Sequence, residues 1–108
     1  MRTKSGIVEQ QISFSKSEGT NNRFILLPDS SRVVLRAGTK LTYPNSFSGQ
    51  TREVNLEGEA YFDIKHKNGQ PFIIHTGEVK TTVLGTAFTI KYPNGSNQVE
   101  VLVERGKV

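Results

Sequence analysis

A chain of 108 residues, 34% of them hydrophobic, with a mean hydropathy of -0.42 and no cysteine, is sized for one domain with a thin core; disulfides and thiolate metal sites are excluded. The formal charge is +4, but the fourteen basic residues run from Arg2 to Lys107 among ten acids, which describes a solvated surface better than a polyanion-binding patch. No stretch approaches the roughly 18–20 apolar residues of a membrane-spanning helix, and the segment after Met1-Arg2-Thr3-Lys4 lacks the apolar centre of a signal peptide.

Ile12 and Phe14 alternate with Gln11, Ser13 and Ser15, the period-two pattern of a strand. The polar stretch 16–22 reads as a hairpin loop. Residues 24–27 form a short apolar run that ends in the turn Pro28-Asp29-Ser30-Ser31, and residues 32–36 resume a strand until Ala37-Gly38 breaks it. A further short strand, 40–43, stops at Pro44, and residues 45–50 form a polar loop holding Phe47.

Residues 53–65, EVNLEGEAYFDIK, alternate throughout. Val54, Leu56, Gly58, Ala60, Phe62 and Ile64 fall on one face; Glu53, Asn55, Glu57, Glu59, Tyr61, Asp63 and Lys65 fall on the other. Gly58 in mid-run points to a bend, a bulge or the close approach of another backbone. Asn68-Gly69 and Asn94-Gly95 read as hairpin turns, because asparagine and glycine tolerate the positive φ such turns need. Residues 72–75, 79–84, 86–92 and 98–104 complete the strands, with Gly77 and Gly85 as breaks. No window supports an amphipathic helix. The expected fold is all-β, an antiparallel double-sheet sandwich, jelly-roll-like, of about nine or ten short strands. A short β-solenoid is the alternative, opposed by the two Asn-Gly hairpins, which demand antiparallel neighbours.

The candidate chemistry is sparse. His66 and His75 are nine residues apart with no third ligand near in sequence, so no metal site is expected. Glu57 and Glu59, with Asp63 beyond, make a row of acids at strand spacing, but catalytic carboxylates flank a cleft from different elements and one of them is buried. No nucleophile elbow and no phosphate-cradling loop before a helix occur. Catalytic and cofactor residues are therefore expected to be none. Tyr43, Phe47, Tyr61 and Tyr92 are the aromatics that alternation leaves outside the core. Tyr61, set among Glu57, Glu59 and Asp63, marks a candidate protein-interaction surface.

An ordered set of motifs runs through the chain: residues 27–35, LPDSSRVVL; residues 52–64, REVNLEGEAYFDI; Pro71-Phe72; and residues 83–88, VLGTAF. This set resembles the FecR family, the ferric-citrate-regulator type of anti-sigma factor, over residues 24–108. One departure is that the family usually has Asp-Gly-Ser where this chain has Asp29-Ser30-Ser31, so a turn of different type is expected. The resemblance implies a single periplasmic domain, residues 1–108, of a transmembrane sensor in the inner membrane of a Gram-negative bacterium. The cytoplasmic anti-sigma domain, the transmembrane helix and a C-terminal domain of such proteins would lie outside this chain. It implies a part in signal transduction and transcription regulation, relaying the state of an outer-membrane TonB-dependent receptor, directly or through the C-terminal domain, to an extracytoplasmic-function sigma factor held by the cytoplasmic domain. Such a role is non-catalytic and needs no cofactor, metal or nucleic acid. Asp29, Gly58, Asn68, Gly69, Gly85, Asn94 and Gly95 are then structural turn or bend positions. A carbohydrate-binding β-sandwich is the alternative function, suggested by the surface tyrosines.

Overall fold

Period-two alternation continues through most of the chain, and two stacked sheets bury it. The computed structural model describes residues 12–16, 21–92 and 99–107. It contains β1 (Ile12–Lys16), β2 (Arg23–Leu26), β3 (Arg32–Leu35), β4 (Lys40–Pro44), β5 (Arg52–Glu57), β6 (Ala60–Asp63), β7 (Phe72–Thr76), β8 (Val79–Val83), β9 (Gly85–Lys91) and β10 (Glu100–Lys107). The first sheet has the order β1-β4-β5-β7-β8 and the second β10-β9-β6-β3-β2. This is the expected sandwich; among the described residues a single pairing, β5 with β7, is parallel, so the solenoid alternative does not form.

The inner faces supply Leu41, Val54, Leu56, Phe72, Ile74 and Val83 from the first sheet and Val33, Leu35, Phe62, Phe88 and Ile90 from the second, all almost wholly buried. Phe62 and Phe88 lie opposite each other across β6 and β9 and stack with centroids 5.2 Å apart. Full burial of each such side chain contributes about 1.5–3 kcal/mol. Tyr43 and Phe47, expected outside the core, pack against its margin, and Phe47 meets the Phe72 ring edge-on at 5.7 Å. Alternation could not place Phe47, because it sits in a loop.

Three expectations are corrected. The run 53–65 is not one strand. It breaks at Gly58, so that β5 belongs to the first sheet and β6 to the second. At the crossing Gly58 has φ +125° and a methyl group there would overlap the Thr39 side chain. Thr39 Oγ1 occupies that space, accepting from Glu59 N (2.9 Å) and donating to Glu59 O (3.0 Å). Core-face parity nevertheless survives the bend, with Val54, Leu56, Ala60, Phe62 and Ile64 all buried.

Asn68-Gly69 is not a hairpin either. It links β6 of one sheet to β7 of the other. Gly69 alone of the pair has positive φ, +75°, as a type II turn requires and a type I′ hairpin turn does not. Asn94-Gly95 lies outside the described residues, although β9 and β10 on either side pair antiparallel. Finally, β1 pairs with β4 and β2 with β3, so β1 and β2 are not the arms of the expected hairpin; residues 17–20 between them lie outside the described residues. In each case the pairing partner is set by long-range packing, which a local turn motif does not contain. The tight hairpin of this sandwich is instead β7–β8. Its two-residue loop Gly77-Glu78 has Gly77 at φ +58°, the first central position of a type II′ turn.

Candidate functional site

At one end of the sandwich a charged side chain stands on the core face. Arg52 opens β5 in phase with Val54 and Leu56 and is fully buried. Its Nε donates to Gln70 O at 2.8 Å; Nη1 donates to Asp29 Oδ2 and Lys65 O, both at 2.8 Å; Nη2 donates to Leu84 O at 3.2 Å. The guanidinium also lies 5.4 Å from the centroid of Phe72. Asp29, 5% exposed, accepts in addition from Ser31 N and Ser31 Oγ at 2.9 Å each, and Ser31 Oγ accepts from Lys65 N at 2.9 Å. Gln70 Nε2 extends the network to the carbonyls of Phe47 and Gly49. One planar, permanently charged fork thus ties together the β2–β3, β4–β5, β6–β7 and β8–β9 connections. A buried pair so fully hydrogen-bonded specifies geometry and offers no free group for catalysis. Asp29 was expected as a turn residue and is one; the role of Arg52 was missed. Its even-numbered position beside Val54 was the available signal.

The Asp29 turn holds Ser30 in the left-handed conformation that glycine favours. Ser30 N donates to Leu27 O at 2.9 Å and Leu27 N to Ser31 O at 2.8 Å, with Ser30 at φ +70°. Serine therefore adopts the left-handed conformation itself. At the β8–β9 crossing a Cβ on Gly85 would lie 2.6 Å from the His66 backbone, which accounts for the glycine there.

The two outer faces differ. On the first sheet, polar side chains satisfy one another. Lys40 Nζ lies 3.7 Å from Glu57, His75 Nε2 lies 2.7 Å from Glu53 Oε1, and Thr51 Oγ1 donates to Glu53 Oε2 at 2.6 Å. The hydrogen bonds from Thr51 and then His75 hold the Glu53 carboxyl below the ordinary glutamate value. Beside them a shallow hollow of about 330 Å³ is lined by Tyr43, Phe47, Glu53 and Asn55.

On the second sheet, register aligns Phe24, Val34, Tyr61, Thr89 and Leu102 across β2, β3, β6, β9 and β10. This row crosses the outer face, Phe24 and Leu102 being exposed and Val34, Tyr61 and Thr89 half-buried. Asp63, next along β6 on the same face, stands opposite Arg32; Glu59, just before β6, lies 4.0 Å from Arg36. Of the four residues expected to share a surface, Glu59, Tyr61 and Asp63 are therefore brought together. Glu57 is on the other sheet, because the chain crosses between sheets at Gly58. Tyr92 does not join this row: its hydroxyl lies where a Cβ on Gly77 would stand, 2.6 Å away.

Such a construction, two stacked sheets with a locked polar end and one partly apolar outer face, is that of an all-β sandwich domain. The family model described as FecR protein matches residues 15–108, and the chain belongs to the FecR family. The match begins before the first motif used above, at residue 15 rather than 24. Two crystal structures from Parabacteroides distasonis ATCC 8503, each described as of a candidate anti-sigma factor, are similar to it. One shares 29% identity over 91% of this chain with a TM-score of 0.77, the other 30% over 89% with a TM-score of 0.75. This chain spans 50% of the length of each. No curated protein matches.

Proposed function

We propose that this chain is a periplasmic signal-relay domain of a membrane-anchored anti-sigma factor. In this reading it couples a TonB-dependent outer-membrane receptor to an extracytoplasmic-function sigma factor, and its part is protein recognition without catalysis. FecR membership and the likeness to the two Parabacteroides proteins support the anti-sigma assignment. The observation that carries a recognition role within the domain is Tyr61, half-buried at the middle of the Phe24–Leu102 row, with Glu59 and Asp63 on either side along the chain. An aromatic ring framed by charges suits a protein interface. Glu57, on the other sheet, would then lie beyond the contact.

The test is a titration of the domain with the N-terminal signalling domain of its receptor, followed by two-dimensional NMR. Shifts concentrated on β3, β6 and β9, weakened by Tyr61→Ala, are expected. Unchanged spectra at high concentration would move the receptor contacts outside these residues.

A further inference from the structure

The hollow beside Glu53 has a structural cause. Lys40, Leu41 and Thr42 of β4 pair with Glu57, Leu56 and Asn55 of β5, and the pairing ends there. Tyr43, Pro44 and Glu53, beyond the last pair, line the hollow together with residues of the loop that joins the two strands. That loop is held from the interior. Gln70, 7% exposed, donates through Nε2 to Phe47 O and Gly49 O at 3.0 Å each, and its own backbone carbonyl accepts from buried Arg52 at 2.8 Å. The wall is therefore set before a ligand arrives, which removes part of the ordering cost of binding. The volume, about 330 Å³, falls at the small end of the range for ligand sites, about 300–1,000 Å³.

The lining selects the ligand. Small-molecule sites are mostly apolar with a few polar groups, and this one is the reverse. Thr42, Ser46, Ser48 and Thr51 bring aliphatic hydroxyls, each both donor and acceptor, while Asn55 brings an amide and Glu53 a carboxylate. Tyr43 and Phe47, half-buried on the margin of the core, add ring surface. Among the described residues no basic side chain lines the hollow, so nothing there would hold an anion. Nor is the carboxylate a strong lure for a cation, since Glu53 is already bonded to Thr51 and His75 and lies in the field of Lys80. A carboxylate offers about four lone-pair positions, so about two remain for hydroxyl donors. The complement is a neutral molecule that carries many hydroxyls around an apolar ring face.

We infer that this hollow is a binding site for a neutral saccharide. Neighbouring sugar hydroxyls donate to Glu53 and exchange hydrogen bonds with Asn55 and the loop hydroxyls. The C–H face of the sugar ring lies against Tyr43 and Phe47. The inference goes beyond the receptor assignment and is independent of it, since the hollow belongs to the first sheet and Tyr61 to the second.

The probes are the neutral disaccharides maltose, lactose, mannobiose and chitobiose, titrated to tens of millimolar into the 108-residue chain and followed by amide NMR. Sodium glucuronate and butylammonium chloride are the charged controls. At least one disaccharide should give saturating shifts confined to the residues of the hollow and indifferent to salt. Asn55→Ala, at an exposed strand position, should weaken that binding about three- to tenfold, the worth of about one hydrogen bond. Ser48→Trp, at an exposed loop position, fills the hollow and should abolish binding, with the amide dispersion of β7 and β9 showing the fold intact. No saturating shift with any of the four sugars, shifts elsewhere, or undiminished binding by both variants would overturn the inference. So would tighter binding of either charged control, which would assign the hollow to an anion or to a basic side chain. If the sugars fail while the receptor domain still perturbs Tyr61, the proposed function stands without this site.

Discussion

Arg52 and Glu53 are neighbours in sequence, and each holds an oppositely charged or chargeable partner at nearly the same distance, 2.8 Å to Asp29 and 2.7 Å to His75. Their surroundings could hardly differ more. Arg52 is dry, with Asp29 5% exposed, whereas the Glu53 and His75 side chains are 48% and 34% exposed. Distance therefore says little about energy in this molecule. Desolvation decides it: a buried charge stripped of its partner has no water to replace the lost bonds, and an exposed one does.

The most direct way to break this contrast is a pair of double-mutant cycles. Arg52→Ala should cost about 3–5 kcal/mol, because Asp29 is left buried with only Ser31 to support it and three carbonyls lose their donor. Asp29→Ala should cost a similar amount, and the double variant much less than the sum of the two. The Glu53–His75 cycle should give a coupling under about 1 kcal/mol. Urea denaturation of the seven proteins checks both; a small coupling at Arg52 would show that the network is incidental to stability.

A second test asks whether the locked interior depends on charge at all. At the β5–β6 crossing, Thr39 and Gly58 make an uncharged counterpart, with φ +125° at the glycine. Gly58→Ala must strain the backbone and displace the Thr39 hydroxyl, costing about 2–3 kcal/mol. Adding Thr39→Ala, which removes the overlapping hydroxyl along with its two bonds to Glu59, should cost less on the Gly58→Ala background than on the wild type in thermal unfolding. Equal costs on the two backgrounds would place the Gly58→Ala loss in the backbone alone.

Within the Arg52 network the Asp29 turn offers a change of opposite sign. Ser30 holds φ +70°, a conformation that costs a residue with a side chain about 1–2 kcal/mol. Glycine relieves that cost but gains freedom in the unfolded chain. Ser30→Gly should therefore stabilise by up to about 1 kcal/mol, visible as a raised urea midpoint at constant slope. A destabilised variant would mean that the Ser30 side chain contributes more than its strain.

Much of the fold was legible because alternation is a local code. The core residues of β3, β5, β6 and β9 follow from parity, and parity survives even the crossing at Gly58. Which sheet a strand joins was not legible, because pairing such as β5 with β7 depends on contacts between segments far apart in the chain. Asn68-Gly69 illustrates the failure, since the same dipeptide serves a hairpin or a crossing. At the site, Tyr61 and its neighbouring acids could be named from the alternating run, but the separation of Glu57 from them could not. Arg52 could have been suspected from its even position, yet a charged residue at a strand end usually reaches solvent. Its burial needs Asp29 and three carbonyls from distant loops, none of which the local pattern announces.

The smallest effect concerns the wet pair and pH. Glu53 is held below its ordinary pKa by the hydrogen bonds from Thr51 and His75. A carboxyl whose folded pKa is depressed stabilises the fold fully above the unfolded value and loses that contribution as pH falls through the folded one. The loss should thus occur only below the ordinary glutamate range, and solvent screening keeps it under about 1 kcal/mol. Comparing wild type with Glu53→Gln between neutral and strongly acid pH isolates it: the two stability curves should be separated at neutral pH and converge as the carboxyl protonates. If the gap stays constant across that range, the difference comes from shape and hydrogen-bonding pattern. Glu53 would then contribute no electrostatic term, and the outer face of the first sheet would be as indifferent to charge as the dry end of the molecule is sensitive to it.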